Sequence, residues 1–212
     1  MLLGRLPASI IQRFHQPVCW FCDRMIGNPG SDIYHTVNYS LMKPKVILFN
    51  ACTVNGLIAR KDGSEDFLSD VHWKVFVRLA ERSGCFIVGR NTFDLYKDDE
   101  DYSLDRIRAE KIVVSHRGIA PAQGWYRARS VKHALDLVSK WKKKEVVLSG
   151  GSLLNTAFVK AGAVDEMVVN IDPTVIGKGM PLIDPVSAQL NLKLLGTKKL
   201  GDDIVQLRYK VI

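Results

Sequence analysis

Five short apolar runs, separated by helical segments, constrain the fold of this chain more than any other feature of its sequence. None of the runs alternates between apolar and polar residues, so each is typical of a strand that is buried on both faces. The runs are Val46–Phe49, Cys85–Val88, Ile112–Val114, Val146–Leu148 and Met167–Ile171. Such strands with helices between them predict a mostly parallel sheet that is covered by helices on both faces.

The helices between these strands carry start and stop signals. Ser69 is the predicted N-cap of the first helix, and Gly84 follows its end. Ser130 caps the second helix, and Ser152 caps the third, which ends just before Gly162.

The C-terminal segment has a different pattern. Apolar residues alternate with polar ones after a turn at residues 201–203, which predicts a strand with one buried and one solvated face. This strand is expected to pair with residues 192–200 as an antiparallel hairpin. Residues 43–212 are therefore predicted to form one α/β domain of three layers.

Residues 1–42 have no sustained helical or strand period, and we expect them to be an N-terminal extension. The extension is either poorly ordered or upstream sequence ahead of a true start at Met42. Its beginning contains arginines but no acidic residue, which resembles a transit peptide, so organelle targeting by residues 1–20 stays open. Otherwise, four cysteines without a disulfide pattern favour a reducing compartment, and we expect a cytoplasmic protein.

The charge balance narrows the choice of partners. The chain has 30 Lys and Arg against 22 Asp and Glu, a net charge of +8, which favours anionic partners. The basic residues are dispersed and form no aromatic-plus-basic stripe, which argues against nucleic acid. No run approaches the roughly 20 apolar residues of a membrane span, and no residue cluster in the domain has metal-ligand spacing. We therefore expect a small-molecule ligand and no nucleic acid, membrane or metal.

The strongest chemical signal is a pair of glycines between a buried strand and a helix. The strand at Val146–Leu148 leads through Gly150 and Gly151 into the helix that begins near Ser152. Glycine lets a ligand approach the backbone closely, and a helix N-terminus offers free N–H groups and a partial positive charge. The turn suits an anion such as a dinucleotide pyrophosphate, although a tight turn without a ligand has the same pattern.

Two further strand ends carry similar residues. Gly89 ends one apolar run and is followed by Arg90, a cation for a phosphate, and by Thr92, a candidate cap for a short helix. Another run ends at Ser115–Arg117, where a serine, a histidine and an arginine adjoin. Because open α/β sheets bind ligands at the carboxyl ends of their strands, the three ends together favour one shared anion site.

These motifs resemble the dihydrofolate reductase-like superfamily, and most closely the C-terminal reductase domain of the bifunctional deaminase-reductase of the riboflavin pathway. The similarity covers about residues 43–212. Its motifs are GGSLL from residue 150, AGAVDE from residue 161, PTVIGKGMPL from residue 173, TVNGLIA from residue 53 and VGRNTF from residue 88. The resemblance implies a three-layer dihydrofolate reductase-like α/β fold with a mostly parallel central sheet and an antiparallel C-terminal hairpin.

The resemblance also implies that the ligand is NADPH. The family places the pyrophosphate and nicotinamide ribose against the Gly-Gly turn, and Arg117 gives a physical reason to prefer NADPH over NADH. The family's Gly–Gly peptide is often cis, so we expect a cis bond between Gly150 and Gly151. The residues implied to bind the cofactor are Gly89, Arg90, Thr92, Ser115, His116, Arg117, Leu148, Gly150, Gly151, Ser152 and Leu153.

For the reaction, the resemblance implies hydride transfer from NADPH to a C=N or C=O carbon. The family's substrate is phosphorylated, 5-amino-6-(5-phosphoribosylamino)uracil, and a dianion suits a basic domain. Asn55, Gly56, Asp66 and Ser69 correspond to the family's substrate cleft. Asp66 is the candidate proton donor among them. Because dimers are common in this family, we expect a homodimer, with the C-terminal hairpin as a candidate interface.

Two alternatives remain open. A dihydrofolate or pterin reductase of the same fold would need a buried carboxylate on the first long helix, and Asp70, at its start, is more typical of a helix cap. A dinucleotide-binding module without catalysis is the other. It stays open because of departures from the family pattern, since Asn55 replaces the opening aspartate and Ser149 replaces a frequent glutamate.

Overall fold

The computed structural model describes residues 43–97, 99–118, 122–185, 189–201 and 203–212. The predictions for the N-terminal extension, residues 1–42, lie outside these residues. Within the described ranges, none of the helices combines the length and the apolar character that a membrane crossing requires.

Strands and helices alternate along most of the domain. The strands are β1 (Lys45–Thr53), β2 (Leu57–Arg60), β3 (Cys85–Gly89), β4 (Glu110–Val114), β5 (Trp125–Ala128), β6 (Glu145–Leu148), β7 (Glu166–Asp172), β8 (Gly179–Pro181), β9 (Leu192–Leu200) and β10 (Ile204–Val211). The helices are α1 (Asp70–Ser83), α2 (Arg90–Tyr96), α3 (Val131–Lys140) and α4 (Ser152–Lys160), with a 3-10 turn at Leu104–Arg106.

Eight of the strands form one sheet in the order β5-β4-β3-β6-β1-β7-β10-β9. The first six are parallel, whereas β10 is antiparallel to both β7 and β9. The predicted mostly parallel sheet with an antiparallel C-terminal hairpin is confirmed. β2, β5 and β8 were not predicted from the sequence, because each has only three or four residues and lies outside the buried centre of the main sheet.

Two hydrophobic cores lie on the two faces of this sheet. Ile47 and Phe86 pack under α1 and α2, whereas their chain neighbours Leu48 and Ile87 pack under α3 and α4. Because successive strand residues point to opposite faces, a strand between two cores must be apolar throughout. This explains the apolar runs without alternation, and it confirms the three layers.

Three predicted helix boundaries agree with the structure. Ser69 is the N-cap residue of α1, although its side chain makes no capping hydrogen bond, and Gly84 ends the helix in the left-handed conformation at φ 66°. The hydroxyl of Ser130 accepts a hydrogen bond of 3.1 Å from the backbone N–H of His133 and so caps α3. Gly162, at φ 58°, follows the end of α4 as predicted.

Two predicted capping roles are wrong. Gly151 is the N-cap residue of α4, and Ser152 is its first helical residue. The Ser152 hydroxyl instead donates a hydrogen bond of 2.6 Å to Asp184, so it is turned away from its own helix end. Thr92 lies inside α2, whose N-cap residue is Gly89.

Candidate functional site

A cavity of about 460 Å³ opens at the carboxyl ends of β1, β3 and β6. The helices that follow β1 and β3 in the chain, α1 and α2, lie on one face of the sheet, whereas α4, which follows β6, lies on the other. A crevice forms where neighbouring strands send their connections to opposite faces, and this is where open α/β sheets bind ligands. The Gly-Gly turn after β6 therefore lies in the crevice, between the ends of β3 and β1, whose following helices lie on the opposite face of the sheet.

The two glycines of this turn have different roles. A Cβ atom on Gly150 would lie 2.8 Å from the Oδ1 of Asn155 and 2.9 Å from the Cβ of Leu154, so close packing against α4 requires glycine there. A Cβ atom on Gly151 would meet nothing within 4 Å. Gly151 thus presents bare backbone to open space at the N-terminus of a helix.

The expected cis bond between the two glycines is wrong for this structure, because the described residues contain no cis peptide. The trans form needs no compensation from its surroundings. The turn is closed instead by the carbonyl of Gly151, which accepts hydrogen bonds from the backbone N–H groups of Leu154 and Asn155, both at 3.1 Å.

Two asparagines hold the Gly-Gly turn against the end of β1. Asn50 donates a hydrogen bond of 3.1 Å to the carbonyl of Gly150. The amide of Asn155, which is fully buried, donates to Asn50 at 2.9 Å and to the carbonyl of Leu182 at 3.0 Å. Its Oδ1 has no partner in the described residues and lies against Gly150. Neither asparagine was predicted from the sequence, because neither belongs to a recognisable motif.

The N-terminus of α4 offers backbone donors, but few of its side chains face the cavity. As the first residues of a helix, Ser152 and Leu153 have N–H groups without an intrahelical acceptor, and no backbone carbonyl of the described residues accepts from them. The Leu153 side chain is 79% exposed, whereas Leu148 is fully buried in the core. What the turn can offer an anion is therefore backbone.

The predicted residues after β3 and β4 lie on the same rim as the turn. Arg90 forms an ion pair with Asp94 and donates to the carbonyl of Gly118, so it joins α2 to the loop after β4. In that loop the Ser115 hydroxyl donates to the carbonyl of Arg117 at 2.8 Å. The order β4-β3-β6 makes these three strand ends adjacent, as predicted.

Exposed cationic and polar groups stand at this end of the rim. His116 and Arg117 are exposed, and the Arg117 guanidinium makes no hydrogen bond or ion pair with the described residues. Thr92 reaches the cavity wall, whereas Arg90 is already paired. Arg117 is thus the cation of this loop that remains available to an anionic ligand.

Asp66 lines the cavity but is poorly suited to donate a proton. Its carboxylate accepts from the guanidinium of Arg60 at 2.6 and 3.3 Å. Hydrogen bonding by Arg60 holds the pKa of Asp66 below its usual value. At neutral pH this residue is an ionised, paired carboxylate.

The neighbouring Glu65 has the opposite character. More than a third of its residue surface remains accessible, but its carboxylate lies among the cavity walls, and this loss of water raises its pKa to about 7. A hydrogen bond from the Tyr96 phenol partly opposes the rise. Burial, followed by the charge of Glu65, raises the pKa of Tyr96 itself to about 12. Glu65 therefore carries a proton over a large part of the neutral range.

Aromatic rings form much of the remaining wall. Trp73 packs against Phe76 and Tyr102 with ring centroids 5.8 and 5.7 Å apart, and Phe76 stacks on Phe49 at 6.0 Å. The phenol of Tyr102 donates a hydrogen bond of 2.6 Å to Asp70, which fixes this ring at the start of α1. The wall is suited to a flat ligand.

The chain has relatives among known proteins. A family model for the RibD C-terminal domain matches residues 44–206. The chain belongs to the RibD C-terminal domain family. One relative is the uncharacterized protein YyaP of Bacillus subtilis (strain 168). It is 29% identical over 185 residues, which cover 80% of this chain and 96% of YyaP.

Solved structures share the fold of this RibD C-terminal domain. Acinetobacter baumannii RibD matches with a TM-score of 0.67 and 19% identity, over 82% of this chain and 59% of that one. A diaminohydroxyphosphoribosylaminopyrimidine deaminase/5-amino-6-(5-phosphoribosylamino)uracil reductase from Thermotoga maritima matches with a TM-score of 0.63 and 17% identity, over 80% and 57%. The chain thus spans less than two thirds of either neighbour. Its fold is that of riboflavin biosynthesis reductases, and its family suggests an oxidoreductase.

Two residues that the resemblance assigns to the substrate cleft of RibD C-terminal domains do not line this cavity. Asn55 accepts from the Thr53 hydroxyl and donates to the carbonyl of Ile176, both at 2.8 Å. Gly56, at φ 79°, closes the turn between β1 and β2. Asn55 and Gly56 thus belong to the contacts between two loops. Of the residues that the resemblance assigns to the substrate cleft, Asp66 and Ser69 are the ones that line the cavity.

A chain of largely buried polar side chains begins at His72, which lines the cavity and has no obvious partner in the sequence. Asn170 lies 3.2 Å from the Nδ1 of His72, and Gln206 donates to the Oδ1 of Asn170 at 2.9 Å. Since Asn170 can only donate through its Nδ2, His72 accepts at Nδ1 and donates from Nε2 to Asp172 at 3.1 Å. Because His72, Gln206 and the pair on β7 come from three segments that are far apart in sequence, no local pattern predicts this chain.

Proposed function

We propose that this RibD C-terminal domain is an NADPH-dependent reductase that acts on a small molecule in the cavity. The observation that carries the proposal is the open space beside Gly151, at the N-terminus of α4 and in the crevice of the sheet. If the turn only had to pack against α4, glycine would be required at residue 150 but not at residue 151. When bound there, NADPH supplies a hydride for a C=N or C=O carbon.

The chain offers donors that fit such a cofactor. The backbone N–H groups of Ser152 and Leu153 suit the diphosphate, since both lie in the first turn of α4. The unpaired guanidinium of Arg117 suits a 2′-phosphate, on the same rim. Thr92 and Gly151 bound the cavity beside that path. These residues bind and orient, and they provide no proton.

For the proton we propose Glu65 in place of Asp66. A reduction that adds hydride to carbon needs a proton for the neighbouring nitrogen or oxygen. The raised pKa of Glu65 leaves its carboxyl partly protonated near neutral pH, whereas the Arg60 contact keeps Asp66 ionised. Both line the cavity, so the difference between them is one of protonation.

The same observations weigh on the two alternatives. A pterin reductase needs a free buried carboxylate on α1, but Asp70 is exposed and bonded to Tyr102. The buried carboxylate of Asp172 is bonded to His72 and to Thr174. A module without catalysis would need no carboxyl in the cavity with a pKa raised to about 7, as Glu65 has. Both observations favour the reductase of the riboflavin type.

The proposal is tested by NADPH binding and oxidation. Purified protein is titrated with NADPH and then given 5-amino-6-(5-phosphoribosylamino)uracil, its unphosphorylated riboside, or dihydrofolate, while absorbance at the NADPH band is followed. We expect NADPH to bind and to be oxidised with a pyrimidine but not with dihydrofolate. Binding of NADPH without oxidation of any kind would favour the inactive module, and absence of NADPH binding would refute the proposal.

The preference for NADPH over NADH has its own test. The variant Arg117→Glu should weaken NADPH binding more than NADH binding, because only NADPH carries the 2′-phosphate. Arg129→Glu changes the same charge at another exposed arginine and should affect both cofactors alike. An equal loss for both cofactors in Arg117→Glu would contradict the contact.

We also propose that the protein is a homodimer through its C-terminal hairpin. β9 is an edge strand of nine residues, of which all but Leu200 are exposed. Leu192, Leu194 and Leu195 on this strand are 40–51% exposed, and Val205 on β10 is 41% exposed. A long exposed edge strand with apolar side chains is a template for pairing with a second chain.

A further inference from the structure

The Glu65 carboxyl and the Tyr96 phenol meet in the cavity although they come from separate segments of the chain. Glu65 lies in the loop between β2 and α1, and Tyr96 is the last residue of α2. Both residues line the cavity, and the phenol donates a hydrogen bond to the carboxyl. The group that the proposed function uses as its proton donor is therefore held by a second side chain of the cavity.

The chemistry of the two groups fixes the direction of this hydrogen bond. Burial, followed by the charge of Glu65, raises the pKa of Tyr96 to about 12, so the phenol keeps its hydrogen throughout the neutral range. A protonated carboxyl has one oxygen that carries the hydrogen and one that only accepts. The oxygen that accepts from Tyr96 is the second of these, so the acidic hydrogen is on the oxygen that Tyr96 leaves free.

Tyr96 is anchored by the core, whereas Glu65 belongs to a loop. Phe93, on the same helix as Tyr96, is fully buried and packs against Trp125 with ring centroids 4.7 Å apart. The Tyr96 ring packs against this hydrophobic core as well. Glu65 has more than a third of its residue surface accessible. Of the two groups, the phenol is thus the fixed partner, and the carboxyl is the one that is positioned.

The helix that carries Tyr96 also reaches the part of the cavity that the proposed function assigns to the cofactor. Thr92 lies four residues before Tyr96, so the two share one face of α2. Both line the cavity, and Thr92 bounds it beside the path of the cofactor. One helix therefore sets the distance between that path and the group that holds Glu65.

The other titratable side chains of the described cavity lining already have partners. They are Asp66 bound to Arg60, His72 bound to Asp172, and Tyr102 bound to Asp70. Asp99, in the loop after α2, raises the pKa of Tyr96 but does not act on that of Glu65. Among the described residues, burial and the Tyr96 hydrogen bond thus control the protonation of Glu65.

We propose that Tyr96 is the positioning residue of the proton donor: it binds one oxygen of the Glu65 carboxyl and directs the other, which carries the proton, towards the substrate. The inference rests on the proposed function, in which Glu65 supplies the proton. When the O–H bond of Glu65 breaks and its proton passes to nitrogen or oxygen of the substrate, a carboxylate remains. The phenol keeps its hydrogen bond to this carboxylate and stabilises the negative charge until water returns the proton.

The first experiment measures the Glu65 carboxyl without NADPH or substrate. Carbon-13 NMR of protein labelled at the glutamate carboxyl carbons follows the titration, and Glu65→Gln identifies the signal. Tyr96→Phe removes only a hydroxyl, and the titration midpoint of Glu65 should rise by about 0.5–1 pH units, because the lost hydrogen bond favours the ionised form. Tyr102→Phe removes a phenol of the same cavity that is bonded to Asp70, and should leave this midpoint unchanged. An unchanged midpoint in Tyr96→Phe would overturn the proposal.

The second experiment tests whether Tyr96 acts through Glu65, with the rate of NADPH oxidation as the readout. Well below pH 7 the carboxyl is protonated with or without the phenol, so a lower rate in Tyr96→Phe reports on its position, and we expect a loss of about 10-fold. The double variant should be no slower than Glu65→Gln alone, because a positioning residue has no effect once the group that it positions is gone. Losses that multiply in the double variant would mean that Tyr96 acts independently of Glu65, and would contradict the proposal.

Failure of this inference and failure of the proposed function give different results, because the NMR titration needs no reaction. An unchanged Glu65 midpoint in Tyr96→Phe, while Glu65→Gln still removes the pH dependence of the rate, would refute the role of Tyr96 and leave the proposed function standing. A raised midpoint with wild-type rates at every pH would refute Glu65 as the proton donor, and this inference with it. A raised midpoint together with losses that do not multiply supports both.

Discussion

Asn155 donates a hydrogen bond of 2.9 Å to the Oδ1 of Asn50, and so connects the start of α4 to the end of β1. Asn50 passes the connection on to the carbonyl of Gly150. The proposed cofactor turn and the wall of the cavity are thereby held in one position relative to each other. This pair makes the geometry of the site depend on two side chains, of which Asn50 also lines the cavity.

Loss of this connection should lower the stability of the folded protein. Asn155→Ala removes the bonds to Asn50 and Leu182 from a fully buried position, and should lower the free energy of unfolding by about 1–3 kcal/mol. Asn91→Ala changes an exposed asparagine on α2 and should stay within about 0.5 kcal/mol of the wild type. Urea denaturation checks both values. Equal stability of the two variants would show that the connection contributes nothing.

The two glycines provide a matched pair of substitutions. Gly150→Ala forces a methyl group against Leu154 and should cost about 1–3 kcal/mol of stability. Gly151→Ala meets open space, and its backbone at φ −69° and ψ 171° is allowed for alanine, so the fold should be unaffected. Its methyl group would stand where the cofactor approaches, so NADPH affinity should fall by about 10-fold or more. Unchanged NADPH binding by Gly151→Ala would contradict the proposed cofactor position.

The proposed proton donor predicts a pH dependence of the rate. With a pKa of about 7, Glu65 should keep its proton below neutral pH and lose it above, so the rate should fall as the pH rises through about 7. Glu65→Gln should lower the rate by about 100-fold and remove this dependence. Asp66→Asn should leave the rate at the same order of magnitude as in the wild type, with the same pH profile. The same fall with pH in Glu65→Gln would assign it to another group.

The same residue predicts a pH dependence of stability. The pKa of Glu65 is raised from 4.5 in the absence of the cavity to about 7 in the folded state, so the folded protein binds this proton more tightly than the unfolded chain. Stability from this group is fully present below about pH 4.5 and is lost as the pH rises through about 7. Glu65→Gln should therefore raise the melting temperature near pH 8 and leave it unchanged near pH 4. Differential scanning calorimetry measures both, and a loss of stability near pH 8 would contradict the desolvation of Glu65.

The proposed dimer predicts the outcome of adding a charge to β9. Leu194→Lys places a cation on a strand residue that is 51% exposed, and should shift the mass in light scattering from dimer towards monomer. Leu95→Lys makes the same change at a residue of α2 that is 57% exposed and should keep the wild-type mass. A dimer that persists in Leu194→Lys would place the interface elsewhere.

Much of the fold could be predicted because it depends on local patterns. The runs at residues 46–49 and 85–88 are apolar throughout, and only a strand between two cores demands this. Gly84 and Ser130 marked helix ends correctly, since capping uses a few neighbouring residues. Ser152 was misassigned because its hydroxyl has a better acceptor in Asp184, which is remote in sequence.

By itself, the sequence determined the layers of this protein and the rim of strand ends with its Gly-Gly turn, because hydrophobic periodicity and glycine act over a few residues. Only the tertiary structure decided the protonation and the contacts of the side chains in and beside the cavity. It brought Glu65 against Tyr96, tied Asp66 to Arg60 and joined His72 to Asp172. Protonation and charge depend on distance and on the exclusion of water, and both are set by packing between segments that lie far apart along the chain.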